Sequence, residues 1–266
     1  MIRSYFGLSK TPFATDDVEL LAQQRQILDV LKVHCQQGGL CLILGSPGTG
    51  KSTIKDALRT CEPKRLIAPV VGRTMHAYNQ TLLLLCEAFG IEPGLGAVRC
   101  EKRLIEEAFR LNRQGKMIAP IIDDAHLLQV PCLRKLRLLF EEFPKNHNLI
   151  LIGQCELLAA INLNVNEDIR SRVTYSVLLE PLAPDDMERL ILGQLDRCGL
   201  GHHTFSQEAL DLILRSSEGI LRKTRNLCLG SLIQAVLDQT KTVGLKQVNQ
   251  VLIQPHWRKE HDLAQA

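Results

Sequence analysis

Gly45-Ser46-Pro47-Gly48-Thr49-Gly50-Lys51-Ser52 matches G-x-x-x-x-G-K-[ST] at every fixed position, and no other stretch restricts the fold of this chain as strongly. The pattern needs a strand before it and a helix after it. Leu40-Cys41-Leu42-Ile43-Leu44 reads as a buried strand, and helical periodicity follows from about Gly50 to Thr60. Glycines let the backbone curl until its N–H groups converge on phosphate oxygens, and the helix N-terminus adds partial positive charge. The loop from Gly45 to Ser52, with Thr53 behind it, is therefore expected to hold the phosphates of ATP. Lys51 is expected to reach the β- and γ-phosphates, and the Ser52 hydroxyl to hold Mg2+.

Around this loop, strands and helices alternate. Further strands are expected over Arg65–Val71, Met117–Ile122, Asn148–Ile152 and Tyr175–Leu179, although Pro120 weakens the second of these. Helices are expected over 17–36, 78–89, 99–113 and 131–143. Such alternation implies a mostly parallel sheet covered on both faces. After Pro181 only helical periodicity remains, at about 184–197, 206–217, 222–239 and 245–253. The expected organisation is an N-terminal arm (1–16), an α/β nucleotide-binding domain (17–181), a small all-helical domain (182–255) and a tail (256–266).

Ile118-Ala119-Pro120-Ile121-Ile122-Asp123-Asp124 is an apolar strand that ends in two carboxylates. An Asp pair that caps a turn is common. About seventy residues after a phosphate loop, the pair reads better as the magnesium strand. Asp123 is then expected to contact Mg2+, directly or through its water, and Asp124 to orient or deprotonate the attacking water.

Composition excludes more than it proposes. No apolar run approaches the roughly 18 residues of a membrane helix, and the N-terminus lacks a secretory signal. Nine widely spaced cysteines form no C-x-x-C pair, and His202-His203 has no nearby ligand set. A cytoplasmic protein without a membrane partner is expected. The net charge of +3 permits nucleic-acid binding without arguing for it.

With these residues in view, the chain resembles AAA+ ATPases of the ExeA type and their relatives in DNA transposition, the TniB, IstB and TnsC-like proteins. The resemblance runs through Tyr5-Phe6-Gly7-Leu8-Ser9-Lys10-Thr11-Pro12-Phe13, the phosphate loop, Ile121–His126, Leu151-Ile152-Gly153-Gln154 and Gly219-Ile220-Leu221-Arg222, and covers most of residues 1–235. It implies the AAA+ fold, with the helical domain as a lid. Where the family usually has Asp-Glu, this chain has Asp123-Asp124. An Asp base sits one methylene further back, and a misplacement of about 1 Å can cost on the order of a hundredfold in rate. Slow hydrolysis is therefore expected.

The resemblance also implies roles for residues that spacing alone leaves open. Gln154 contacts the γ-phosphate or the attacking water, its alternative being a strand-end cap. Arg172, with Arg170 in reserve, is an arginine finger that reaches a neighbouring subunit's site; the alternative is a solvated basic turn. Arg222 is a second sensor of phosphate in its own chain, with Lys223 and Arg225 as near competitors. Phe6, Leu8, Pro12 and Phe13, with the helix from Asp17, wall the adenine, the alternative being ordinary packing of an arm on the core. A finger requires a homo-oligomer, ring or helical filament.

Two stretches are candidates for double-stranded DNA: Arg73, Thr74 and His76 after the second strand, and Arg99, Lys102 and Arg103 at the start of a helix. Phosphate contacts of this kind give salt-sensitive, nearly sequence-neutral binding. A solvated helix face explains the second stretch equally well. The tail around Trp257 is either a partner contact or a frayed end. The leading expectation is an ATP-dependent regulator of transposition that assembles on DNA and recruits a transposase. The alternatives are an ExeA-like secretion or envelope-assembly ATPase and a nucleotide switch acting on protein alone. Proteins of the ExeA type carry a transmembrane helix and a cell-wall-binding domain after the ATPase. Neither is found here, which favours the DNA expectation.

Overall fold

The computed structural model describes residues 2–14, 20–72 and 77–257. In chain order its main elements are α1 (Ile2–Phe6), α2 (Ala22–Gln37), β1 (Gly39–Gly45), α3 (Lys51–Cys61), β2 (Leu66–Ile67), β3 (Val70–Val71), α4 (Tyr78–Ala88) and α5 (Ala97–Arg113). There follow β4 (Met117–Ile118), β5 (Ile121–Ile122), α6 (Val130–Glu141), β6 (Asn148–Gly153), α7 (Cys155–Asn162), α8 (Glu167–Arg170) and β7 (Val173–Leu179). The last helices are α9 (Pro184–Cys198), α10 (Gln207–Ser217), α11 (Leu221–Leu237) and α12 (Leu245–Leu252). They form two compact units. One is Leu20–Leu179; the other joins the N-terminal segment to the residues from Glu180 onward.

The first unit is a parallel sheet in the order β3-β5-β6-β1-β7, with β2 and β4 paired beside it. Strand alternation assigns side chains to two apolar layers. Leu40, Leu42 and Leu44 of β1 pack with Leu82 and Leu85 of α4, Leu104 of α5 and Leu136 of α6. Cys41 and Ile43 pack on the other face with Ile27, Leu28 and Leu31 of α2 and Ile54 and Leu58 of α3. Both faces are covered, so β1 is apolar throughout and shows no polar side. β7, at the sheet edge, alternates half-buried and exposed residues instead.

Two single strands expected over Arg65–Val71 and Met117–Ile122 are each divided in two. The divisions fall at Pro69 and Pro120. The ladder itself runs through, since Ala119 N–H donates to Ile67 O, Ile121 N–H to Pro69 O and Ile150 N–H to Pro120 O. What each proline removes is its own donor, and the regular pairing lapses for two residues there. The other expected strands and helices are present within two residues of their expected ends, except the first helix, expected from 17: residues 17–19 lie outside the described residues, and α2 begins at Ala22. α7 and α8 were not expected.

The helical unit has its own core, built from Met187, Ile191 and Leu195 of α9, Leu210 and Ile213 of α10, Leu227 and Leu232 of α11, and Val248 and Val251 of α12. Pro184 opens α9 with Asp185 and Asp186 in its first turn, where negative charge favours a helix N-terminus. Ser206 Oγ caps α10 by accepting from Ala209 N–H at 3.3 Å.

The N-terminal segment belongs to this core. Residues 2–6, expected to be irregular, form α1; a five-residue helix is too short to show a period. Leu8 and Phe13 are buried among the helices, and Arg225 Nε donates to Phe13 O at 2.6 Å. Lys241 Nζ stands 4.0 Å from the Tyr5 ring centroid and donates to the Tyr5 carbonyl. Trp257 packs partly against the same core.

Candidate nucleotide site

The carboxyl ends of β1, β5 and β6 lie side by side. Leu44 pairs with Gly153, and Ile122 with Leu151. The phosphate loop, Asp123 and Gln154 therefore leave one edge of the sheet together, which is where ligands bind in parallel α/β sheets.

The loop is built by left-handed glycines. Gly48 has φ 87° and Gly50 φ 97°, a conformation that a side chain disfavours. A Cβ on Gly45 would meet Thr49 Oγ1 at 2.7 Å and Leu179 O at 3.0 Å. Thr49 is buried, and its hydroxyl donates to Ser46 O at 2.9 Å, which pins the turn. Lys51 and Ser52 open α3, while Thr53 N–H already donates back to Gly50 O. Lys51 Nζ donates to Gly45 O at 2.6 Å and Ser46 O at 2.9 Å, so its ammonium is held over the loop.

Asp123 ends β5. Its Oδ1 accepts from Asp124 N–H at 3.0 Å, and its Oδ2 lies 2.6 Å from Lys55 Nζ, one turn beyond Lys51 on α3. Asp124 is exposed and adopts φ 50°, a strained backbone that Asp tolerates better than most residues. Ser52 and Asp123 together supply a hydroxyl and a carboxylate, a hard and sparse donor set of the kind Mg2+ uses while keeping several waters. The residues fit that ion. Among the described residues no group of three or more His, Cys, Asp or Glu side chains is placed to hold a metal ion.

Gln154 is the N-cap residue of α7 by position, but its side chain makes no cap hydrogen bond. Its amide Nε2 instead lies 2.8 Å from His126 Nε2. Gly153 makes the approach possible: a Cβ there would stand 3.2 Å from His126 N. Sequence reading missed Lys55 and His126 as site residues. Lys55 lies 68 positions from its partner and carries no motif; His126 was visible only as the end of the Ile121–His126 stretch.

Residues 33–161 match the AAA domain family. The fold is AAA+. Over 94% of this chain it superposes on the ORC2 protein of Aeropyrum pernix, solved in ADPNP-ADP complexes, with a TM-score of 0.71, 15% identity and 73% of that chain covered. The Aeropyrum pernix ORC1 protein in complex with DNA gives 0.69 over 90% of this chain and 67% of that one, at 16% identity. In sequence the chain is 26% identical over 245 residues to General secretion pathway protein A of Aeromonas hydrophila. That match takes in 88% of this chain, which spans 45% of the relative's length.

The remaining expected AAA+ site residues lie elsewhere. Arg170 and Arg172 precede β7, whose Val173 pairs with Leu40 at the amino end of β1, whereas Gly45 pairs with Leu179 at the carboxyl end. Five residues of strand, roughly 16 Å, separate the two levels. Both arginines thus sit at the amino end of the strands, away from the phosphate loop of their own chain. Arg172 pairs with Glu141 at 2.5 Å and Arg170 with Glu167 at 3.7 Å, and both are about half exposed.

In the helical unit Arg222 is exposed in the first turn of α11. Its two competitors are engaged, Lys223 with Glu218 at 2.8 Å and Arg225 with Phe13 O. Gly219 is required just before: at φ 74° its Cβ would meet Leu182 O at 2.4 Å. Phe13, expected at the adenine, is only 5% exposed within the helical core, where Leu8 is buried too, and Pro12 beside Phe13 is also buried.

Of the DNA candidates, Arg73, Thr74 and His76 lie outside the described residues. Arg99, Lys102 and Arg103 are exposed near the start of α5, but Lys102 stands 3.9 Å from Glu106 and Arg103 donates to Glu92 O at 2.6 Å. Among the described residues no helix is long and apolar enough to cross a membrane.

Proposed function

We propose that the protein binds and slowly hydrolyses Mg-ATP and that its active site is completed by a second copy of the chain. The observation that carries this reading is the separation of the phosphate loop from Arg172 at opposite ends of the same strands. When bound, Mg2+ would neutralise charge on the β- and γ-phosphates, with Ser52 and Asp123 as its protein contacts. The loop N–H groups and Lys51 bind and orient the phosphates. Asp124 draws the proton of the attacking water, and Gln154, steadied by His126, positions that water. Arg222 reports the γ-phosphate to the lid, while the N-terminal segment seated on the lid contributes to the adenine side. Arg172 of a neighbour, or Arg170 in its place, stabilises the transferring phosphoryl group.

The finer reading is an ATPase that assembles on double-stranded DNA and serves transposition by recruiting a transposase. Its support is the ordered resemblance to transposition ATPases and the exposed basic start of α5. A related AAA+ structure, the Aeropyrum pernix ORC1 protein, is in complex with DNA. The described fold also has free cysteines, seven of them buried, which suits a cytoplasmic setting. A second reading, a secretion or envelope-assembly ATPase, is favoured by the similarity to General secretion pathway protein A.

The experiment is binding to duplex DNA of unrelated sequences with ATP, ADP or no nucleotide, at two salt concentrations. ATP-dependent, salt-sensitive and sequence-tolerant binding with growth of large oligomers is expected. Absence of binding in every nucleotide state would transfer the function to a protein or envelope partner and leave the ATPase chemistry in place.

A further inference from the structure

Lys55 and Asp123 form an ion pair that phosphate binding does not require. Lys55 sits four residues after Lys51, so the two ammonium groups project from one face of α3. Lys51 turns to the loop carbonyls, and Lys55 turns to Asp123 at 2.6 Å. The pair is not an ordinary surface contact, because the Lys55 and Asp123 side chains are only 17% and 16% exposed. Screening is weak at such a site, so the loss of one charged partner is felt more there than at the surface.

We propose that Lys55 is a built-in counter-ion of Asp123 that Mg2+ must displace, and that it thereby sets the concentration of divalent cation at which the site loads Mg-nucleotide. The proposal rests on Asp123 being the magnesium carboxylate. A hydrated dication that approaches Asp123 meets an ammonium already seated on Oδ2. Like charges at that separation in a half-buried site repel strongly. Lys55 has to withdraw along its flexible stem before the ion is held, and every ion bound carries that cost. At low magnesium the same ammonium keeps Asp123 neutralised beside exposed Asp124, so the edge of the sheet stays ordered without the ion. The site is then occupied by Mg-nucleotide only above a threshold that Lys55 raises.

The test uses the full chain as wild type, Lys55→Met, Lys55→Gln and Asp123→Asn. Binding of a fluorescent N-methylanthraniloyl ATP is titrated with MgCl2, and thermal melts are recorded with EDTA and with excess magnesium. Both neutral Lys55 variants are expected to shift the magnesium midpoint down by roughly tenfold, the size of one neighbouring-charge effect on a carboxylate. Their binding in EDTA should be weaker than that of the wild type, because Asp123 then keeps its negative charge beside the phosphates, and magnesium should raise their melting temperature by more than it raises that of the wild type. Asp123→Asn should lose most of the magnesium dependence. A midpoint unchanged or raised in both Lys55 variants, with Asp123→Asn behaving as expected, overturns the counter-ion proposal alone. Wild-type magnesium dependence in Asp123→Asn overturns the magnesium reading of Asp123 and the proposal with it.

Discussion

Nε2 of Gln154 lies 2.8 Å from Nε2 of His126, across a turn that Gly153 keeps free of side chain. The amide N–H donates to the ring, which places the ring proton on Nδ1, a buried atom with no hydrogen-bond partner among the described residues. A buried unpaired donor costs about 1–3 kcal/mol. That cost is accepted at the edge where the phosphate loop opens, so the pair is read as a positioning device. Gln154→Ala and His126→Ala are each expected to slow phosphate release at least about tenfold, in line with the loss of an oriented polar group. Nucleotide affinity should change little. The double variant should be no slower than the worse single one, because both changes remove one unit. Additive losses would separate the two residues.

Asp124→Glu is expected to accelerate single-turnover hydrolysis by about tenfold or more, because it returns a methylene to a base held too far back. The same change should lower the melting temperature slightly, since Glu tolerates the φ of 50° less well than Asp. A rate no higher than the parent's would remove the slow-switch reading, as would a parent that turns over many times per second.

Arg172→Ala is expected to reduce hydrolysis at least about a hundredfold, within the range known for arginine fingers, and to spare ATP binding. Lys51→Ala should abolish binding and nucleotide-dependent assembly. Mixing the two inactive proteins should restore activity, because one supplies the finger and the other the site. Failure of every mixture, with the same result for Arg170→Ala, would count against completion by a neighbour.

Burial pushes His147 below the ordinary histidine value of 6.5, with a smaller opposing effect from its Nδ1 contact to Pro144 O at 2.8 Å. The folded protein then binds fewer protons than the unfolded chain between the two values. This contribution to stability is complete above pH 6.5 and is lost as pH falls through 6.5 toward the depressed folded value. Thermal melts between pH 7.5 and about 5 should fall with a slope of up to one proton, and His147→Phe should flatten that slope.

The phosphate loop was legible because its residues are contiguous and its conformation is imposed by its own glycines. β1 and β6 were legible because strands buried on both faces carry an unbroken apolar run, Leu40–Leu44 in one and Leu149–Ile152 in the other. What sequence left unread was of three kinds. Pro69 and Pro120 lie in adjacent strands, and a proline's effect on a ladder depends on which neighbour it faces. α7 and α8 are short and follow β6 directly, so their periods blend into the flanking loops. The partners Lys55–Asp123 and Gln154–His126 are joined by sheet register across 68 and 28 residues, a relation that no local spacing encodes. The N-terminal segment failed for a related reason, since α1 gains its order from Lys241 and the helical core rather than from its own sequence.

Arg172 at one end of the strands and Gly45 at the other give each chain a front and a back. A contact that joins one chain's arginines to another's loop is head-to-tail, so it satisfies neither chain completely unless the series closes. An open series has direction: one terminal chain carries a site without a donor, the other a donor without a site. Growth and loss at the two termini then follow different rates, and a row of these subunits along any track would tell one end from the other.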